Sequence, residues 1–111
     1  MKIAVPLIAN VLSEHFGQCE QFGIYTIEDN QIKESKLLKP PPHQPGVLPR
    51  WLQEQGVDVI IASGMGMKAQ SMFDEKGITV VCGAASIDSE EIVARYLNGT
   101  LETSENICDR H

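Results

Sequence analysis

The chain has 111 residues, a formal net charge of -6 and three cysteines. That length fits one domain and leaves no room for a second. An acidic chain whose nine Lys and Arg residues are scattered, with no basic stripe, excludes an extended nucleic-acid surface.

The hydrophobic share of 42% and charged share of 22% are those of an ordinary globular core. A core of this size buries roughly 60–70% of the unfolded surface, so modest stability is expected, as a monomer or a homodimer. No run approaches the ~20 apolar residues of a bilayer span. The segment from Met1 to Pro6 lacks a signal-peptide cleavage pattern. A cytoplasmic protein with no membrane partner is expected. Three irregularly spaced cysteines are not a disulfide framework, and in a reducing compartment their thiols are expected to be free.

In chain order, residues 2–8 read as a buried first strand, with Pro6 predicting a strand end or a bulge. Residues 9–20 read as a loop. Phe22 to Glu28 is rich in β-formers, Asp29-Asn30 is a tight turn, and Gln31 to Leu38 returns as a more polar third strand. A stiff Pro-rich connector over residues 40–49 follows. Val47, Leu48, Trp51, Leu52 and Gln55 then carry helical periodicity, with Gly56 as its stop. Val57 to Ala62 reads as a strand buried on both faces. Ser63 to Met67 is a turn, Lys68 to Lys76 a helix closed by Gly77, and Ile78 to Val81 the last strand. Asp88 and Glu91 form a capping-box pattern, with Ile87 and Ile92 as its hydrophobic staple. That final helix ends at Asn98-Gly99.

The order β-β-β-α-β-α-β-α predicts an α/β fold with three layers, α/β/α. With right-handed crossovers, the expected sheet is a ribonuclease-H-like, five-stranded mixed sheet of order 3-2-1-4-5, strand 2 antiparallel. Residues 1–99 are expected to form the single domain and residues 100–111 a polar tail.

Open α/β sheets bind ligands beyond the carboxyl ends of their parallel strands. That rim would collect His15 and Cys19 after strand 1, His43 in the Pro-rich loop, Gly64-Met65-Gly66-Met67 after strand 4, and Cys82-Gly83 after strand 5. Imidazole, thiol and thioether are the donors that suit iron, copper, zinc or sulfide clusters. His15 and Cys19, four apart around Gly17, read either as ligands of one ion or as an exposed histidine beside a half-buried cysteine. His43 reads equally as a ligand or a solvated loop residue. The two glycines of Gly64–Met67 permit an anion to approach the backbone at a helix N-terminus, with Lys68 adding charge. The Gly-Lys-Ser/Thr ending of a P-loop is absent. Met65 and Met67 also read as packing residues, and Cys82 as an inert core thiol. Cys108 and His111 are two donors where structural zinc needs four ligands. No Gly-x-Ser-x-Gly elbow is present, and the acidic residues form no two-metal set. No enzymatic activity is expected.

These residues also carry a family likeness. His15-Phe16-Gly17, with Phe22 beyond, resembles the His-Phe-Gly signature of the dinitrogenase iron–molybdenum-cofactor biosynthesis family, which includes NifX, NafY and the C-terminal domain of NifB. The run Gly56-Val57-Asp58-Val59-Ile60-Ile61-Ala62-Ser63-Gly64-Met65-Gly66, then Ala69 and Gly77-Ile78, extends the likeness over nearly the whole chain. The resemblance implies the ribonuclease-H-like fold. It also implies binding or carrying of iron–molybdenum cofactor, its precursor or a related metal–sulfur cluster of iron and/or molybdenum. By the same likeness His15 is a candidate ligand, and Gly64–Met67 borders the site. Together with the bottom-up reading, His15, Cys19 and His43 become the metal donors, and cluster-donating or cluster-accepting proteins the partners. The rival expectation is a non-metal interaction or regulatory module whose histidines and cysteines are incidental.

Overall fold

Apolar residues fill both faces of the first strand, β1 (Lys2–Ile8), and make it the centre of the sheet. In the computed structural model the described residues are 1–9, 11–12, 20–41, 46–84 and 88–101. β1 turns at Ala9, in the left-handed region at φ 53°, into a two-residue strand β2 (Val11–Leu12), which pairs back antiparallel onto Leu7 and Ile8. β3 (Gln21–Glu28) and β4 (Gln31–Leu38) form an antiparallel hairpin through Asp29 and Asn30, both at positive φ as their side chains allow. Then come α1 (Val47–Glu54), β5 (Val59–Ile61), α2 (Met67–Glu75), β6 (Thr79–Val81) and α3 (Ser89–Asn98).

The main sheet order is β4-β3-β1-β5-β6, with β2 attached to β1. β3 is antiparallel to β1 and β4, whereas β5 and β6 run parallel to β1. This is the expected 3-2-1-4-5 sheet with one strand added. The expectation of a loop over residues 9–20 fails at Val11 and Leu12. Two apolar residues are too few to show a period, and Leu12 is pulled inward to a buried place on the α3 side.

Strand alternation divides the core into two clusters. Ala4, Phe22, Ile24 and Ile60 face α1 and α2, meeting Leu48, Leu52 and Phe73. Ile3, Val5, Tyr25, Ile27 and Ile61 face α3, meeting Ile92 and Val93. The three layers follow.

Pro6 neither ends β1 nor bulges it. It pairs in register with Phe22 in mid-strand. The carbonyl of Lys2 points to the β5 flank, where it accepts from Asp58 N, and that of Leu7 points to the β3 flank, where it accepts from Glu20 N. Alternation therefore turns the nitrogen of Pro6 to the β5 flank. β5 pairs with β1 only at Ile3 and Ala4, so no ladder bond is demanded of that nitrogen.

The helices start and stop close to expectation. Gly56, Gly77 and Gly99 follow α1, α2 and α3 at φ 80°, 76° and 73°. Asp88 caps α3, its Oδ2 accepting from Glu90 N at 3.1 Å and Glu91 N at 3.3 Å. Glu91 does not complete the capping box; its carboxylate pairs with Arg95 at 2.9 Å instead. Ile87 lies outside the described residues. No helix among the described residues is long and apolar enough to cross a membrane.

Candidate functional site

Because β4 and β5 run in the same direction as β1, and β6 beside β5, their carboxyl ends share one rim. The same rim receives the N-termini of α1, α2 and α3. Its central part is built where β5 and β6 end. Ala62 N donates to Val81 O at 2.8 Å, Gly83 N to Ser63 O at 2.7 Å and Ala84 N to Ala62 O at 3.2 Å. These bonds set the turn Gly64–Met67 beside the segment Cys82–Ala84. A second stitch is the bridge between Val11 and Asp88, which ties β2 to the N-cap of α3.

The Gly64–Met67 turn is held from below. Met65 is buried in the core on the α1–α2 side, and its carbonyl accepts from the Gln70 side chain at 2.8 Å. Met67 opens α2 and is 41% exposed. Gly66, the N-cap of α2, makes no side-chain cap bond, and no acidic residue lies in the first turn of that helix. α1 is alike, with Gly46 as its N-cap, no cap side chain and no acid in its first turn. The leading N–H groups of a helix lack intrahelical partners and carry partial positive charge. Neither helix supplies its own anion; α3, with Asp88, Glu90 and Glu91, does.

Gly66 has φ -67° and ψ 158°, an extended conformation open to any residue. A Cβ built there would meet nothing within 4 Å. Neither backbone strain nor packing requires glycine at this place.

The expected metal donors His15, Cys19 and His43 lie outside the described residues, as do Cys108 and His111. Among the described residues no group of three or more His, Cys, Asp or Glu could hold a metal ion. The described rim presents the backbone N–H groups that open α2 and the exposed thioether of Met67. Cys82 departs from the expectation of a free, core-buried thiol: it is half-buried and disulfide-bonded. Gly83, at φ 91°, turns the chain directly after it.

Sequence reasoning missed a second feature. Tyr25 on β3 and Ser89 at the start of α3 share a buried hydroxyl–hydroxyl hydrogen bond. The pair borders a groove of about 490 Å³ between β4 and α3, along with Lys36, Leu37, Asp88 and Glu90. Burial pushes the Tyr25 phenol above its ordinary value; the bond to Ser89 opposes this, and the nearby Glu90 and Asp88 carboxylates add to it. A separation of 64 positions left no local signal for this contact.

Comparison with known proteins agrees with this architecture. Protein MJ0580 of Methanocaldococcus jannaschii is 39% identical over 111 residues, spanning 95% of this chain and 92% of that protein. The crystal structure of PH0822 superposes with a TM-score of 0.89 at 25% identity, covering 96% of each chain. The MJ0327 protein of Methanocaldococcus jannaschii shares the fold, with a TM-score of 0.76 at 21% identity over 95% of each chain. The family model described as dinitrogenase iron-molybdenum cofactor matches residues 1–99, and the chain belongs to that family.

Proposed function

We propose that the protein is a carrier that binds iron–molybdenum cofactor, its precursor or a related metal–sulfur cluster at the carboxyl rim, and that it binds this cargo without turning it over. The carrying observation is Gly66, a glycine that the fold does not need, on an uncapped helix N-terminus with open space where a side chain would stand. Glycine at such a place suits close approach of a ligand to the backbone. The amides that open α2 would stabilise the anionic charge of a cluster, and Met67 is a soft donor beside them. His15, Cys19 and His43 are the side chains proposed to complete the site, and cluster-donating or cluster-accepting cytoplasmic proteins are its proposed partners.

The test is anaerobic incubation of the purified protein with an iron–molybdenum–sulfide cluster, followed by gel filtration, elemental analysis and visible spectroscopy. Co-elution of metal and sulfide with a new visible absorbance is expected, reduced in His15→Ala. Absence of metal from the protein peak would sink the reading. The rival reading is a non-metal interaction or regulatory module whose histidines and cysteines are incidental. A partner complex that forms equally with and without chelator would favour it.

A further inference from the structure

We propose that the outer edge of β4 is a self-pairing surface, on which a second copy of this chain adds its own β4 antiparallel about a two-fold axis at Ser35. Among the described residues β4 is the last strand of the sheet, and Lys33 to Leu37 are exposed along it without a break. Met1 N donates to Ile27 O and Ile27 N to Met1 O, so the backbone of Ile27 is turned to β1. Alternation turns Tyr25 the same way, and Ile24 and Thr26 to β4. Their partners Lys36 and Glu34 therefore bond to β3, whereas Ser35 and Leu37 present their N–H and carbonyl groups outward.

Two antiparallel copies of one strand must place one residue opposite itself, because directly opposed residues bond on the same flank. The run Lys33-Glu34-Ser35-Lys36-Leu37 decides which. An axis at Glu34 sets two carboxylates face to face, and an axis at Lys33 or Lys36 sets two ammonium groups so; like charges directly opposed are destabilising. An axis at Leu37 leaves only the last residues of the strand paired. An axis at Ser35 pairs Glu34 with the partner's Lys36, twice over, at the ~4.5–5.5 Å Cβ separation of opposed residues. Lysine on an edge ordinarily repels an incoming strand; in this register each Lys36 meets a carboxylate. Among the described residues neither Glu34 nor Lys36 has an ion pair within its own chain.

The groove beside this edge fits the same register. Ser35 lies opposite Tyr25, so Ser35 and Leu37 lie on the α3 face, and Lys33 joins them by alternation. Leu37 is 51% exposed and lines the groove with Asp88 and Glu90. The axis at Ser35 sets the partner's Lys33 opposite Leu37. Its methylenes would cover the leucine, and its ammonium group would reach the carboxylates of Asp88 and Glu90. The contact is isologous, so both grooves are filled alike. β4 runs in the direction of β1. The two rims therefore point to opposite ends of the joined sheet, and both stay open to cargo.

Sedimentation equilibrium of the metal-free protein, from about 10 μM to about 1 mM, reads the association independently of the carrier reading. The native chain is expected to move from 12.2 kDa toward twice that mass. Lys36→Glu or Glu34→Lys alone brings like charges together and should weaken self-association at least about tenfold. The double swap Glu34→Lys/Lys36→Glu restores opposite charges and should restore the dimer. Mixing the two single variants should do the same, as a heterodimer. Ser35→Pro removes an outward N–H and no bond to β3, so it should abolish pairing in a chain that still unfolds cooperatively on heating. A native chain that stays monomeric throughout would overturn the proposal and leave the edge to a foreign strand. Association undisturbed by the single charge variants or by Ser35→Pro, or a folded double swap that fails to restore it, would overturn it as well.

Discussion

The hydroxyl of Tyr25 is hydrogen-bonded to that of Ser89, joining the middle of β3 to the first residue of α3. Both residues are buried, at 4% and 5% exposure. Each hydroxyl therefore depends on the other for a partner. Tyr25→Phe should lower stability by about 1–2 kcal/mol, because it deprives the buried Ser89 of its bond. Ser89→Ala should cost similarly, and the double variant clearly less than the sum. Urea unfolding of the full double-mutant cycle checks this; strict additivity would mean the bond contributes nothing.

Burial of the Tyr25 phenol gives alkaline behaviour with a definite sign, against the opposing pull of the Ser89 bond. Burial, the leading cause, favours the neutral phenol in the folded chain and so lifts its pKa above 10.0. The unfolded chain gives up this proton first. The stabilisation is thus complete below pH 10.0 and is lost as pH rises through the higher native value. Unfolding midpoints on the two sides of pH 10.0 should diverge more in the native chain than in Tyr25→Phe. Parallel pH profiles would contradict the assignment.

Gly23 makes room for that tyrosine. A Cβ at Gly23 would stand 2.9 Å from Cε2 and 3.0 Å from the hydroxyl oxygen of Tyr25. Gly23→Ala should force the ring off Ser89 and cost about 1–3 kcal/mol. In a Tyr25→Leu background the same change should cost much less. Thermal unfolding of the two pairs decides it, and an equal cost in both backgrounds would place the clash elsewhere.

At the rim, stability and binding should move in opposite directions. Gly66→Asp places a capping carboxylate at the start of α2, where none exists. The helix should gain up to about 1 kcal/mol from the cap and from the favourable charge. The same carboxylate would occupy the cradle and repel an anionic cluster, so metal uptake should fall. A more stable protein with undiminished uptake would show that this turn is only a helix cap.

The sheet order was legible because each strand and helix carries its own signal: Asp29-Asn30 for the hairpin, Gly56, Gly77 and Gly99 for the helix ends, the apolar run 57–62 for the inner parallel strand. The class is borne out by the sheet and by its structural relatives. Features that depend on distant neighbours were not legible. β2 exists because Leu7 and Ile8 offer it partners. Glu91 chose Arg95 over the cap because an i,i+4 cation lay within reach. Pro6 was read as an interruption because the sequence does not reveal which flank of a strand is left unpaired. At the candidate site, the glycine pair announced the turn, but neither the disulfide of Cys82 nor the Tyr25–Ser89 contact has a local signature.

Pro6 has one further effect. Were β5 to slide two residues along β1 toward the rim, its next acceptor would face a nitrogen without hydrogen, so that misaligned pairing is penalised. The proline thereby acts as an alignment pin. It fixes the height at which β5 ends, and with it how far Gly64–Met67 projects above the sheet.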